Sequence, residues 1–524
     1  MTATPVTETQ RVVIVGAGLA ALYAALSLAP RPVLVISPGA LGEGASSAFA
    51  QGGVAAAVGP GDSPAEHAAD TARAGAGTVD PLVAGQVTAE ALEHVLALAE
   101  RGAPFDRTAE GGFVLSREAA HGRARVVRVK GDGAGRAIMT ALIAVTRSTP
   151  SVQVLEGLIA TGLETEGGRV TGLRLAAADG HSGEGVLRAP AVLLATGGVG
   201  GLYARTTNPG TIRGQGLGIA ARAGAAVADA EFVQFHPTAI DCDADPLPLA
   251  TEALRGEGAV LVDAEGRRFM PDIHPDAELA PRDVVARAVF AEWRAGRRPM
   301  LDTRAAIGEA IDTRFPTVTA SCRALGIDPA RAPIPVAAAA HYHMGGIAVG
   351  ATGRSSLPGL WAIGEVSSTG LHGANRLASN GLLEALVYGR AAAHDIAGAL
   401  GAPGAAPEAG FAPPPGEVAA PAEAVADLRR IMTEEVGVTR SGEGLRAALR
   451  GIAELEARTD SPVLRAMTAA ATLIAAAALA REESRGGHYR TDFPAPDPAR
   501  ALRSRMTLAA AERIRAAALG EVAA

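Results

Sequence analysis

RVVIVGAGLAALYAALSLAPRPVLVIS, residues 11–37, is the stretch on which the fold turns. RVVIVG (11–16) is a short β-branched run, Leu19 to Ala29 is rich in alanine and leucine with helical periodicity, and RPVLVIS (31–37) is apolar again. Strand, turn, helix and strand in that order form a βαβ unit, the first element of a doubly wound sheet. GAGLAA (16–21) puts Gly16 and Gly18 in the turn, with Ala21 where a third glycine usually stands. Glycine there permits positive φ and lets a pyrophosphate approach backbone N–H groups at the helix N-terminus. A standard NAD site would carry an acidic residue at the end of the second strand to bind the ribose. Ser37-Pro38 occupies that place and argues against one.

Working outward, residues 152–180 read as a β-hairpin that returns to a buried parallel strand in APAVLLATGG (189–198). From 237 to 342 the pattern changes to scattered charges, short apolar segments and prolines, as expected of an inserted α+β domain. LPGLWAIGEV (357–366) repeats the apolar profile of the first sheet. The expected organisation is therefore a discontinuous nucleotide-binding domain (1–236 and 343–400) interrupted by a 237–342 insertion. A Pro/Ala-rich linker (401–424) and a C-terminal helical bundle (425–524) follow.

A chain of 524 residues is too long for one hydrophobic core, and its 48% hydrophobic content suits a well-buried globular protein. The formal charge of −7 gives no reason to expect nucleic acid as a partner. Cys242 and Cys322 are too few for a disulfide framework, a thiolate zinc site or an iron–sulfur cluster, so no metal and a reduced, cytoplasmic setting are expected. MTATPVTETQ (1–10) lacks the basic region of a signal peptide. The most apolar run, 469–480, is shorter than the ~20 residues of a membrane span and reads as a buried helix.

Four further strings occur in order: SSAFAQGGVAAAV (46–58), LLATGG (193–198), WAIGEV (361–366) and GLHGANRLASNGLLEALVYGR (370–390). With the glycine turn and ESRGGHYRTDFP (483–494), they resemble the succinate dehydrogenase/fumarate reductase flavoprotein family, which includes the L-aspartate oxidases. The resemblance implies an α/β protein: a Rossmann-like FAD-binding domain interrupted by an α+β capping domain, then a helical domain. It implies that Gly16, Ala17, Gly18, Leu19 and Ala20 hold the pyrophosphate of FAD. Ser46, Ser47, Gln51, Gly52 and Gly53 would wrap the flavin, and Glu365 would bind the ribityl chain. Asn380, Gly381 and Leu382 would open a helix whose positive end faces the flavin pyrimidine. Two positions depart from the family pattern: Gln215 replaces an aspartate, and Gly381 replaces a common serine. Members with covalent FAD carry a histidine where this chain has Ser46, and a hydroxyl cannot form that bond, so the FAD is expected to be noncovalent.

The resemblance also gathers EFVQFHPTAI (231–240), TEALRGEG (251–258), APRDVVAR (280–287), AAHYHMGGI (339–347) and GANRLASN (373–380) over the flavin. A C4 dicarboxylate carries two negative charges, which arginine forks and histidine or threonine donors match. Gln234, His236, Thr251, His341 and Arg376 are the implied substrate binders, and Arg282 the implied proton-transferring residue. The alternative from sequence alone is an ion pair of Arg282 with Asp283 or Glu278 at a helix start. Glu118, in LSREAAHGRARVV (115–127), stands where L-aspartate oxidases place a glutamate suited to an α-ammonium group. The implied reaction is oxidation of L-aspartate to iminoaspartate with O2 or fumarate as acceptor, the first step of NAD biosynthesis, with hand-off to quinolinate synthase. The alternative is a soluble fumarate reductase or succinate dehydrogenase flavoprotein subunit.

Overall fold

The structure is a computed structural model that describes residues 4–520, so the outermost residues of the expected first and last segments, 1–3 and 521–524, lie outside it. The opening stretch forms β1 (Val12–Val15), α1 (Leu19–Leu28) and β2 (Val33–Ser37). β3 (Val152–Glu156) and β4 (Val192–Leu194) join the same layer later. Between them the hairpin Leu158–Glu166/Arg169–Ala177 turns out into a second sheet with Gly185–Arg188 and Val6–Glu8.

The chain then leaves through β5 (Val233–Ile240) and returns through β6 (Ile334–His343), which pair antiparallel and carry it unbroken across 236/237 and 342/343. Between them lies α2 (Arg282–Arg294) and a separate core that includes Ile240, Leu261, Val285, Val289 and Leu301. β7 (Leu360–Ala362) re-enters the first sheet, and α3 (Asn380–Leu400) packs on α1. The sheet order is β7-β4-β1-β2-β3, every pair parallel; β7, β4, β1 and β2 are buried and apolar on both faces, whereas the edge strand β3 is only partly buried. α1 and α3 approach closely because small residues meet at their crossing: a Cβ on Gly389 would lie 3.4 Å from the Ala20 carbonyl and from Tyr23.

Residues 402–421 have no regular structure, but they are fastened to the nucleotide-binding layers rather than loose. Arg11 Nε donates to Pro407 O (3.1 Å), Gln153 Nε2 to Ala409 O (2.8 Å) and Val418 N to Gly180 O (2.8 Å). The C-terminal helices surround α4 (Pro462–Ala480). The helix is longer than the apolar run within it, because Ser461 caps Leu464 N and Pro462 pre-sets the first turn. At 19 residues it is long and apolar enough to cross a membrane, as is Pro81–Glu100, but its apolar window is 78% buried inside the protein. Burial against Gln215–Arg222 is close: a Cβ on Gly218 would overlap the Ala466 carbonyl.

Candidate functional site

At the C-terminal ends of β1, β2 and β4 opens a cleft of about 870 Å³. Gly16 takes φ +118°, and a Cβ there would overlap the Ala195 carbonyl, so only glycine allows β1 and β4 to meet at the floor. Gly16, Ala17, Gly18, Leu19 and Ala20 all line the cleft. α1 begins without a side-chain cap on Gly18; Ser47 Oγ accepts from Leu19 N at 3.1 Å, and the helix N-terminus faces the opening. Ser37 does not face it: fully buried, its hydroxyl donates to Gly39 O (2.8 Å) within its own turn. Glu43, six residues on, is an acidic residue that lines that end together with Pro38.

At the other end the expected residues divide into two groups. Ser46, Ser47, Gln51, Glu365, Gly381 and Leu382 line the cleft, as does Gln215, whose Oε1 accepts from Arg213 N at 3.0 Å. Gly52, Gly53 and Asn380 do not. A Cβ on Gly53 would overlap the Val127 carbonyl, and one on Gly52 would stand 2.6 Å from Glu118 Oε1, so both are glycine for packing. Asn380 turns inward, where Oδ1 meets His67 Nε2 (2.8 Å) and Nδ2 donates to Thr71 Oγ1 (2.9 Å). Glu365 accepts from His343 N (3.0 Å), and burial pushes its carboxyl up to about 7.

Buried polar atoms of seven cleft residues have no protein partner: Ser46 Oγ, Gln51 Oε1, Thr161 Oγ1, Thr196 Oγ1, Asn208 Oδ1, Arg213 Nε and Arg376 Nε. Native interiors satisfy nearly all such groups, so a ligand is their natural partner. A glycine floor, a helix N-terminus at the pyrophosphate end, a second N-terminus at Gly381 and these orphan donors and acceptors fit FAD.

Beyond the flavin end stands a buried group of charged and polar residues. Arg282, the first residue of α2, is ion-paired with Glu252 and donates from Nη1 to Gln234 Oε1 at 3.1 Å. This replaces the ion pair considered with Asp283 or Glu278, which are taken by Arg287 and by Arg268. Gln234 Nε2 in turn donates to Asn375 Oδ1 (2.9 Å) and to the backbone oxygen of Arg376 (2.8 Å), which ties the inserted region to the GANR loop. The rings of His236 and His341 lie 5.0 Å apart on paired strands, where β6 bulges at His341 opposite the Gln234–Phe235 step and β5 bulges after His236. Burial, reinforced by the charge of Arg282, holds both histidines well below the usual range. His236 Nδ1 accepts from Thr238 N (3.2 Å), leaving Nε2 buried and unpartnered. Thr251 is buried beside Glu252 at the start of a short helix.

Arg376 lies 4.3 Å above the Tyr342 ring, with Nε unpartnered; burial, with Arg282 nearby, brings its guanidinium down to about 10. The departure at Gly381 has a physical reason here, since a Cβ would be 3.0 Å from Tyr342 Cε2 and 3.2 Å from Arg376 Nη1. Glu118 is buried and accepts from Ser379 Oγ at 3.0 Å. Burial first, then the Glu252 charge, push its carboxyl up to about 6, against the pull of Arg282 and Arg376. Its loop is held by Arg125, which reaches Asp62 (3.0 Å) and Asp70 (2.7 Å), and by Gly122 N on Asp70 (2.7 Å). His341 and Arg376 line the cleft, whereas Gln234, His236, Thr251, Arg282 and Glu118 stand behind them.

Two residues in this group escaped the sequence reading, Glu252 and Arg255. Glu252 pairs with Arg282 and lies 3.6 Å from Arg255 Nη2. Burial would raise its carboxyl, but Arg282 and Arg255 outweigh that and hold it below the ordinary range. Their i, i+3 spacing inside TEALRGEG was the available signal.

The FAD binding domain family matches residues 11–382, and the fumarate reductase flavoprotein C-terminal family matches 459–517. L-aspartate oxidase of Caulobacter vibrioides is 56% identical over 495 residues, covering 93% of this chain and 94% of the relative. That of Agrobacterium fabrum is 48% identical over 496 residues, covering 95% and 93%. Among solved structures, the FrdA chain of E. coli quinol fumarate reductase superposes with TM-score 0.84 at 28% identity, covering 95% of this chain and 93% of that one.

Proposed function

Since the chain belongs to the L-aspartate oxidases of the succinate dehydrogenase/fumarate reductase flavoprotein family, we infer that it is an FAD-dependent oxidoreductase that converts L-aspartate to iminoaspartate. Electrons leave to O2 or fumarate, and the reaction opens NAD biosynthesis. Bound FAD supplies the hydride acceptor. Gly16 to Ala20 with the α1 N-terminus hold its pyrophosphate, Ser46, Ser47 and Gln51 its flavin, and Glu365 its ribityl chain.

The protein side chains do the rest. His236, His341, Thr251 and Arg376 bind the two carboxylates as neutral and cationic donors, with Gln234 bracing Arg282 against the Arg376 loop. Arg282 moves the substrate proton, with Glu252 as its buried counter-charge and Arg255 as a second cation on the same carboxylate. Glu118 accepts the α-ammonium group. The observation that carries this reading is Glu118, a buried carboxylate that, unlike the arginine-paired Glu252 beside it, accepts only from Ser379 Oγ (3.0 Å) and has no ion-pair partner among the described residues. A site for succinate alone has no use for a carboxylate there. Iminoaspartate is unstable, so direct hand-off to quinolinate synthase suits the product, and the two unpaired cysteines suit the cytoplasm.

Anaerobic mixing with L-aspartate, D-aspartate or succinate tests the reading: L-aspartate bleaches the flavin, and preferential bleaching by succinate would overturn it. Attachment is checked by acid precipitation. With Ser46 in place of histidine, the yellow colour passes entirely into the supernatant; flavin retained on the washed pellet contradicts noncovalent binding.

The pH profile follows from Glu118. Its carboxyl is pushed up to about 6, so below that pH the free enzyme carries a proton there and loses its partner for the ammonium group. kcat/KM for L-aspartate therefore drops by about tenfold per unit below pH ~6. The same acid limb is absent for fumarate reduction. An identical limb for both substrates would assign the titration to another group.

A further inference from the structure

The C-terminal string ESRGGHYR (483–490) lies outside the chemistry described so far, yet it meets three elements that carry the dicarboxylate site. Its own shape is fixed by buried polar contacts. Arg481 Nη1 and Arg485 Nη2 donate to Glu483 (2.8 and 2.9 Å), while His488 is held between Arg440 Nη1 (2.9 Å) and Arg481 O (3.0 Å). Gly487 N donates to Ala374 O at 2.8 Å, two residues before Arg376. A Cβ on Gly486, at φ +52°, would overlap that same carbonyl. A Cβ on Gly487 would stand 2.6 Å from Val233 O, one residue before Gln234. From the third side comes Arg287, on α2 five residues after Arg282. Its Nη1 donates to Gly486 O at 3.2 Å, its guanidinium lies 5.1 Å from the Tyr489 ring, and Asp283 orients it at 3.0 Å.

On the reading of Arg282 and Arg376 given above, we propose that Gly486–Tyr489 is a positioning strut for the catalytic step, and that Arg287 is the positioning residue that engages it. The GANR loop and β5 rest on the two glycines, and α2 is clamped to the same four residues. The strut thereby sets the separation between Arg282, carried by the inserted region, and Arg376, carried by the FAD-binding layers. Catalytic groups must be held closely, because a misplacement of about 1 Å costs on the order of 10²-fold in rate.

The test uses full-length, FAD-loaded protein, with rates normalised to bound flavin. Arg287→Met and Tyr489→Leu each slow anaerobic flavin reduction by L-aspartate by about 10–100-fold. The double variant is no slower than the slower single, because both changes release one contact. Tyr489→Phe, which keeps the ring, stays within about twofold of wild type. Amide hydrogen exchange across residues 282–294 rises in both slow variants and is unchanged around β1 and α1. Wild-type reduction rates in Arg287→Met and Tyr489→Leu overturn the proposal, as do losses that simply multiply in the double variant without a change in exchange at α2. Arg282→Lys measured alongside separates the two ideas. If it too is near wild type, the role of Arg282 is wrong; if it is crippled while the strut variants are fast, the strut alone is wrong.

Discussion

Arg282→Lys and Arg282→Leu lower turnover on L-aspartate by about 10²–10⁴-fold, the usual worth of a positioned acid–base group, while FAD remains bound. Lysine does not rescue, because the wild-type side chain uses two edges of a planar fork, Nε toward Glu252 and Nη1 on Gln234. An ammonium is a point charge and reaches only one of them. Retention of FAD is expected because Arg282 does not line the cofactor cleft. The measurement is steady-state turnover with flavin content read from absorbance. Activity within about threefold of wild type would remove Arg282 from the proton-transfer role.

Glu118→Gln separates the two substrates. A charge-assisted hydrogen bond is worth about 1.5–3 kcal/mol, so kcat/KM for L-aspartate falls by about 10–150-fold. Glutamine keeps an acceptor for Ser379 Oγ, so the loop held by Arg125 and Asp70 stays in place. Fumarate has no ammonium group, and the change removes a negative charge near a dianion, so its reduction is spared or improved. kcat/KM for L-aspartate with excess oxygen and for fumarate with a chemical reductant, measured on both proteins, decides the matter. Equal losses on both substrates would reduce Glu118 to a structural part.

What was legible in the sequence was what depends on local pattern. β1, α1 and β2 are readable from apolar runs and a glycine turn, and the return at β7 from a strand with the same profile, because each is buried on both faces. The residues proposed to bind the carboxylates stand in strings that resemble relatives, and the fold gathers them near Arg282 and Arg376. Side-chain direction was not legible. Asn380 opens α3 as expected, but its amide turns to His67 and Thr71, and no local pattern distinguishes that from a turn toward the cleft. Gly52 and Gly53 sit in a flavin-type string, yet they answer to Val127 and Glu118 across the chain. Ser37 leaves the strand end without an acidic residue, and Glu43 reaches the cleft from the loop after β2, a path that spacing along a strand does not reveal. Glu252 shares the sign of a dicarboxylate substrate, so its residue type alone does not point to such a site. Its role follows only once Arg282 and Arg255 are seen to bury two like charges around it.

Ala419 and Ala420 from the Pro/Ala-rich stretch, with Val463 and Ala466 from the first turns of α4, form part of the wall of the cofactor cleft. Holding the cofactor and keeping the C-terminal quarter docked are therefore reciprocally linked. Whatever free energy FAD gains from that wall, the docked state gains from FAD in equal measure. The apoprotein should loosen first at 402–480, far along the chain from the glycine turn that grips the pyrophosphate. A proteolytic nick in that stretch would then be read out as leaking flavin, which turns cofactor retention into a gauge of how firmly the C-terminal quarter is docked.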